Sequence, residues 1–369
     1  MSEAELRPAA EAAARHFAMD GEPTSATPHG SGHIHDTFCV EFARDSVQAG
    51  LRQRAILQRM NERIFRDVPA LMDNIDRVTR HLAAKVAGEP EDERRALRLI
   101  PTREGGTWLR DEAGDAWRAY HMIERARTVD AVTGPEQAFE AGKAFGGFQR
   151  MLADLPAPRL HETIPDFHHT PKRFAALKRA IEADAVWRAK TAAAEIAFAL
   201  AQEPKARVML DAGLPERVTH NDTKINNVML DEATGAGLCV IDLDTVMPGF
   251  APYDFGDLVR TVTSLAAEDE RDLSKVRLEW ELYEALLRGY LTATREFLTR
   301  DERGLLAFGG WLITFQIGMR FLTDYLEGDR YFKVHREGQN LDRCRTQFAL
   351  ARQIEAEAAR MDRLAESLG

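Results

Sequence analysis

The segment "VTHNDTKINNVML", residues 218–230, sets His220, Asn221, Asp222, Lys224, Asn226 and Asn227 between apolar residues. Val218 stands on one side, and Val228, Met229 and Leu230 on the other. The spacing is His220-x-Asp222-x-Lys224-x-x-Asn227, and Asp242 follows fifteen residues later at the end of the apolar run "LCVID". Phosphoryl transfer asks for this equipment: a carboxylate near the acceptor hydroxyl, ligands for Mg²⁺, and positive charge on the phosphates. One short loop delivers a carboxylate, an amide and a lysine together. A second carboxylate at a strand end completes a metal site, because Mg²⁺ prefers oxygen ligands and takes only one or two carboxylates. The apolar flanks anchor such a loop in a core while its polar heads face a cleft.

Several elements must hold that loop. His35 to Phe42 alternates and is rich in β-formers, which predicts a strand after the glycines of "PHGSG". "RAILQRMN" predicts another, and "ALRLIPT", "TWLRD" and "AWRAYHMIE" three more, separated by Gly and Asp-Gly-like breaks. "AEAAARHFAM" is helical in pattern, and "VPALMDNIDRVTRHLAAKV" puts Leu71, Ile75, Val78 and Leu82 on one helical stripe. From about residue 130 helices dominate, beginning with "GPEQAFEAGKAFGGFQRMLADL" and Pro135 near its start. A long charged helix is expected through "TPKRFAALKRAIEADAVWRAKTAAAEIAFALAQ", then helices over 268–298, 305–327 and 338–366. Short strands interrupt them at "RVTH" and "GLCVIDLD". The pattern predicts an α+β chain, strand-rich over 1–125 and mainly helical over 126–369.

A chain of 369 residues suits one large domain or two smaller ones. It can bury a substantial core without disulfides or structural metals. Lys and Arg number 49 against 59 Asp and Glu, a net charge of −10, which argues against a general nucleic-acid binder. Cys39, Cys239 and Cys344 lie far apart with no Cys/His cluster near them, so they read as reduced, buried cysteines of a cytoplasmic protein and not as a zinc site. The N-terminus "MSEAELRPAAEAAARHF" lacks the apolar run of a signal peptide. The most apolar stretch, "LLAFGGWLITFQIGM", falls short of the roughly 20 residues of a membrane span and reads as a buried helix.

The two motifs resemble the catalytic loop and metal aspartate of the protein-kinase-like fold, in the branch of aminoglycoside phosphotransferases and choline kinases. The strings "GSGHIHDT", "ILQRMN", "FGGFQRMLADLP", "LHETIPDFHHTPKR", "HNDTKINNVML", "IDLDTVMPG" and "YDFGDLVR" together resemble the N-acetylhexosamine 1-kinases over roughly residues 28–350. The resemblance implies a bilobal fold, with a small N-terminal antiparallel sheet over a larger helical lobe. It implies ATP-dependent, Mg²⁺-assisted phosphorylation of the anomeric hydroxyl of GlcNAc or GalNAc, a small neutral sugar. By it Asp222 is the catalytic carboxylate, Lys224 faces the γ-phosphate, and Asn227 and Asp242 hold Mg²⁺. His220 is expected to hold the loop by hydrogen bonds. Thr245, Arg320 and Tyr331 would join Asp222 in holding the sugar. Gly30 and Gly32 precede a strand instead of opening a helix, as in a turn that covers phosphates in kinase-like folds. "MIERA" looks like the interlobe hinge, whose backbone near Ile123 and Glu124 would meet adenine.

The sequence departs from protein kinases in one place: "AILQRMN" holds no lysine. Arg59 or Gln58 must substitute, with Arg59 favoured because its fork suits phosphate oxygens. The helix acid that would pair with it is Asp73 or Asp76. Asp254-Phe255-Gly256 spells the metal-binding triplet of protein kinases but follows "PGFAPY" instead of ending a buried strand. Asp254 and Asp257 are therefore expected to cap a helix and brace the catalytic loop. Two rival functions stand beside the sugar 1-kinase: another small-molecule kinase, acting on an aminoglycoside, choline or an amino-alcohol, and a nucleotide-binding pseudokinase scaffold. Intact Asp222, Asn227 and Asp242 argue against the scaffold.

Overall fold

The computed structural model describes residues 3–30, 34–43 and 53–368. Gly32 lies outside the described residues. The chain divides into two compact units. The first comprises Met1–Ala126, Asp154–Ile164 and Leu238–Val246; the second comprises Arg127–Ala153, Pro165–Gly237 and Met247–Gly369.

The first unit carries helix α1 (Glu3–Ala14) and strands β1 (Pro23–Pro28), β2 (Asp36–Phe42) and β3 (Gln53–Arg59). Helix α2 (Val68–Val86) follows, then β4 (Leu99–Ile100), β5 (Leu109–Arg110) and β6 (Ala116–His121). The strands form an antiparallel sheet in the order β1-β2-β3-β6-β4, with β5 also on β6. The sequence pattern missed β1, because "PTSATP" is polar and bounded by prolines; its pairing with β2 makes it a strand.

The pleat of this sheet decides which side chains share a face, since successive residues point to opposite sides. Phe38, Val40 and Phe42 of β2, Ala55 and Leu57 of β3, and Trp117 and Ala119 of β6 are buried in one cluster with Leu6, Ala10 and Ala13 of α1. Fully burying each large apolar side chain contributes about 1.5–3 kcal/mol. The alternate residues Thr37, Gln58 and Arg118 lie on the other face. Gln58 stands opposite Thr37 on one neighbour and Arg118 on the other.

The second unit begins as the chain leaves β7 (Ala126–Arg127). Its helices are α3 (Pro135–Met151), α4 (Thr170–Ala183), α5 (Ala193–Ala201) and α6 (Val208–Asp211). Then come β8 (Arg217–Thr219), β9 (Val228–Asp231), β10 (Gly237–Val240), which runs into the first unit, and β11 (Met247–Gly249). Helices α7 (Ala251–Val262), α8 (Trp280–Thr294), α9 (Arg300–Gly304), α10 (Leu306–Glu327) and α11 (Gln339–Leu368) complete it. The long helix expected over 170–202 is broken. Asp184 takes a left-handed conformation at φ 36° that ends α4, and its carboxylate accepts the backbone N–H of Ala189 at 2.9 Å. The helix expected over 268–298 shortens to α8, because Asp272 turns the preceding chain by accepting the backbone N–H of Ser274.

Among the described residues no helix is long and apolar enough to cross a membrane. "LLAFGGWLITFQIGM" lies within and just before α10, a buried helix.

Candidate active site

The catalytic-loop candidates belong to the second unit. Strand β8 delivers the chain to His220, and a short 3-10 turn, Ile225–Asn227, leads it into β9. His220 is fully buried, its ring in edge-to-face arrangements with Phe145 and Phe148 at 5.2 and 5.6 Å between centroids. Its Nδ1 lies 3.3 Å from the backbone nitrogen of Asp222, so the imidazole accepts that N–H and braces the loop.

Three predicted residues meet here. Lys224 Nζ lies 3.0 Å from Asp222 Oδ2. The Asn227 amide donates to the backbone oxygen of Asp222 at 2.9 Å and to its Oδ2 at 3.3 Å. That use of Nδ2 leaves the carboxamide oxygen of Asn227 on the other side of its amide, the donor a hard cation takes. The Asp222 side chain keeps about a quarter of its surface exposed, at 24%.

Contrary to expectation Asp254 does not cap α7, whose N-cap is Phe250, but it does brace the loop. It sits in the first turn of α7, fully buried. Its two oxygens accept the backbone N–H groups of His220 and Asn221 at 2.8 and 2.7 Å. Gln149 of α3 donates to it at 2.7 Å, and its backbone oxygen accepts the Thr223 hydroxyl at 2.7 Å. Burial pushes the Asp254 carboxyl above the usual carboxylate range, against the field of His220 and these donors. Asp257 pairs with Arg260 one turn later. Gly256 serves packing: a Cβ there would stand 2.3 Å from the backbone oxygen of Gly309 in α10, so only glycine permits that approach. The triplet Asp254-Phe255-Gly256 is thus a brace, a core side chain and a helix contact.

Two arginines of this unit have no acidic partner within 4.0 Å among the described residues. Arg320 of α10 is surrounded by the rings of Phe167, Tyr331 and Phe332, with its guanidinium carbon 5.4, 5.5 and 5.4 Å from their centroids. It also donates to the Tyr331 hydroxyl at 3.3 Å. Burial lowers its pKa, opposed by Tyr331 and, more weakly, by the charge of Asp222. Arg173 of α4 donates to the backbone oxygen of Phe167 at 2.9 Å, and its Nε is buried without a partner. Burial, then repulsion from Arg320, lowers its pKa to about 10. Asp324 sets the Tyr331 segment by accepting the backbone N–H groups of Arg330, Tyr331 and Phe332 at 2.8, 2.7 and 3.0 Å. Nothing in local pattern announces Asp324, because its three donors lie six to eight residues ahead across a turn.

The first unit holds the remaining candidates. Asp242 and Thr245 bracket a 3-10 turn, Leu243–Thr245, with Asp242 left-handed at φ 61°. Between them Asp244, 2% exposed, receives both terminal nitrogens of Arg118 at 2.7 and 2.6 Å. His35 Nε2 approaches the same carboxylate at 3.3 Å, outside hydrogen-bond geometry. Burial alone would raise the Asp244 carboxyl; Arg118 and His35 outweigh it and hold it well below the carboxylate range.

Arg59 does not fit the lysine's place. The pleat turns it to the Leu57 face, where it bonds Asp36 at 2.7 Å and Asp115 at 2.9 Å. Gln58 is on the face of Arg118 and accepts its Nε at 2.9 Å. Neither Asp73 nor Asp76 pairs with Arg59: Asp73 meets Arg77 and His161, and Asp76 meets Arg80. The buried polar residues of α2 are Asn74 and Thr79, and Asn74 donates to the backbone oxygens of His161 and Val246 at 2.9 and 3.1 Å. At the expected hinge Ile123 is buried, and the Glu124 backbone oxygen accepts Arg94 Nε at 3.0 Å. Gly30 adopts φ 78° at the end of β1. A glycine is favoured there because L side chains rarely take that conformation.

The chain belongs to the phosphotransferase enzyme family, whose model matches residues 25–298, and is itself a phosphotransferase. It is similar in structure to a microcompartment-associated aminopropanol kinase, with 15% identity, 96% of this chain and 98% of that one covered, and a TM-score of 0.58. It is similar to an aminoglycoside phosphotransferase from Alicyclobacillus acidocaldarius, with 13% identity, coverage of 97% and 96%, and a TM-score of 0.58. A choline kinase from Cryptosporidium parvum matches with 14% identity, coverage of 93% and 92%, and a TM-score of 0.52. These likenesses define an α+β, protein-kinase-like fold, built of a small unit with an antiparallel sheet and a larger, mainly helical one.

Proposed function

We propose that the protein is an ATP-dependent kinase that phosphorylates the anomeric hydroxyl of an N-acetylhexosamine, GlcNAc or GalNAc. Residues 1–125 form its nucleotide-covering lobe and 126–369 the lobe with the catalytic loop and sugar site. The separate, buried, free cysteines Cys39, Cys239 and Cys344 suit a reducing compartment, the cytoplasm.

The observation that carries the choice of acceptor is the wall around Arg320. Two half-buried guanidiniums, Arg320 and Arg173, with no carboxylate paired to them among the described residues, stand beside Phe167, and Arg320, ringed also by Tyr331 and Phe332, feels the charge of Asp222. Such a wall repels an ammonium, the group by which choline, amino-alcohols and aminoglycosides are held. It suits a neutral ring that offers oxygen lone pairs to N–H donors and a face to aromatic rings.

Asn227 and Asp242 would hold Mg²⁺, which when bound offsets charge on the β- and γ-phosphates. Asp222 orients the acceptor hydroxyl and accepts its proton as the oxygen bonds to the γ-phosphorus and the bond to the bridging oxygen of ADP breaks. Lys224, held by Asp222, supplies positive charge to the γ-phosphate. Thr245, Arg320 and Tyr331 hold the ring so that its anomeric oxygen is aligned.

The test is a panel of acceptors with ATP and Mg²⁺: GlcNAc, GalNAc, their methyl glycosides, choline, 1-amino-2-propanol and an aminoglycoside. The free sugars are expected to give a product whose phosphorus couples to the anomeric proton in NMR, and the methyl glycosides to be inert. Turnover of choline or the amino-alcohol in preference to the sugars would reject the sugar reading. A 6-phosphate product would reject the regiochemistry.

A further inference from the structure

The turn between Asp242 and Thr245 is clamped from three directions. Arg118 of β6 grips the Asp244 carboxylate at both oxygens. The Thr163 hydroxyl donates to the Asp244 backbone oxygen at 2.9 Å, and Asn74 of α2 donates to that of Val246 at 3.1 Å. Arg118 is itself fixed from behind, because Gln58, opposite it on β3, accepts its Nε, and Gln58 donates in turn to the Thr37 hydroxyl at 3.1 Å. A relay of side chains therefore runs across three sheet strands into one turn. At the head of that turn Asp242 is held left-handed, a conformation a non-glycine residue keeps only where its surroundings determine it. The strands of this sheet hold no lysine, and the fully buried cation on which the Asp242 charge acts, raising its pKa, is Arg118.

We propose that Arg118 and Asp244 are positioning residues for the phosphotransfer site: their buried two-pronged ion pair fixes the Leu243–Thr245 turn and so aims Asp242 as a metal ligand. Asp244 is then not a second metal ligand, since both its oxygens are engaged by Arg118. Arg118 thus acts on the turn and not on the nucleotide. A lysine could not replace it, because an ammonium cannot span both carboxylate oxygens with the fixed geometry of a guanidinium.

This inference rests on the metal-nucleotide reading of the site, and its test separates the two. ADP is titrated calorimetrically into wild type, Arg118→Lys and the double variant Arg118→Met/Asp244→Leu, each with Mg²⁺ and with EDTA. The double variant replaces a buried ion pair by apolar groups of similar size, a change that often preserves folding; Arg118→Lys keeps the charge and is the second folded form. Both are expected to bind ADP in EDTA within about two-fold of wild type but to lose about ten-fold or more of the gain that Mg²⁺ confers, the usual effect of removing a group that orients a ligand. Retention of the full Mg²⁺ gain in either folded variant overturns the proposal. So does an equal loss with and without metal, which would make Arg118 a direct nucleotide contact. A wild-type protein whose ADP affinity is indifferent to Mg²⁺ overturns the metal-nucleotide reading itself, and the proposal with it.

Discussion

Asp254 and Asn221 lie thirty-three residues apart, yet a carboxylate oxygen of the first accepts the backbone N–H of the second at 2.7 Å. Asn221 sits left-handed at φ 64° immediately before Asp222. The other Asp254 oxygen takes the N–H of His220, so a single buried side chain sets the turn that presents Asp222.

Replacing that side chain should therefore cost stability before it costs chemistry. Asp254→Asn puts an N–H₂ group against backbone N–H donors and leaves at least one of them unsatisfied, a loss of about 1–3 kcal/mol. Urea unfolding should show the drop with an unchanged m-value. Mg²⁺ affinity measured on the folded fraction should stay near wild type; abolition of metal dependence would mean that Asp254, and not Asp242, is the metal aspartate.

Asp222→Asn and Asp242→Asn should separate the two carboxylate roles. The first removes the proton acceptor and should retain Mg-ATP binding while turnover falls by roughly 10²–10⁴-fold. The second removes a metal ligand and should weaken Mg-ATP binding. Calorimetry paired with steady-state kinetics reads both, and wild-type turnover in either variant would be incompatible with the assignment.

Arg320→Gln and Arg173→Gln should raise KM for a sugar acceptor while leaving KM for ATP unchanged. Each removes charge from the aromatic wall, so any trace activity on choline should rise relative to that on GlcNAc. Unchanged acceptor KM in both variants would remove Arg320 and Arg173 from the acceptor site.

His168 predicts a pH dependence of stability. Its Nδ1 faces Gln316 Oε1 at 3.0 Å, and burial lowers its pKa from 6.5 to about 4. Arg320 and Arg173 also lower it, while the Gln316 bond and Asp257 act the other way. The unfolded chain then binds the proton that the folded protein refuses, so stability is full above the unfolded value and falls as pH drops from about 6.5 to 4. The loss amounts to about 3 kcal/mol. His168→Gln should flatten the stability profile in that window, and an unchanged slope would show that another group produces it.

Gly256→Ala should destabilise the packing of α7 on α10, because the added methyl meets the Gly309 backbone, which cannot yield as a flexible side chain would. Overpacking of this kind costs about 1–3 kcal/mol, measurable by urea unfolding. A fully stable variant would contradict the close approach.

The chain's own spacing determined what is local. Asp222, Lys224 and Asn227 fall within six residues, so one turn suffices to bring their polar heads together, and the apolar flanks of "VTHNDTKINNVML" suffice to seat that turn. The main strands and α2 were equally legible, because alternation and the Leu71, Ile75, Val78, Leu82 stripe are written residue by residue. What only the tertiary structure decided is everything set by register and long-range approach. Gln58 and Arg59 are neighbours in sequence, yet the pleat of β3 sends one toward Arg118 and the other toward Asp36 and Asp115. Arg118 finds Asp244 across 126 residues, and Asn74, not an acidic neighbour, turns out to be the polar anchor of α2. The physical reason is that a strand pattern states which residues alternate but not which partner strand, turn or helix will meet each face. A buried charge therefore gains its partner, and its role, only when the sheet is assembled.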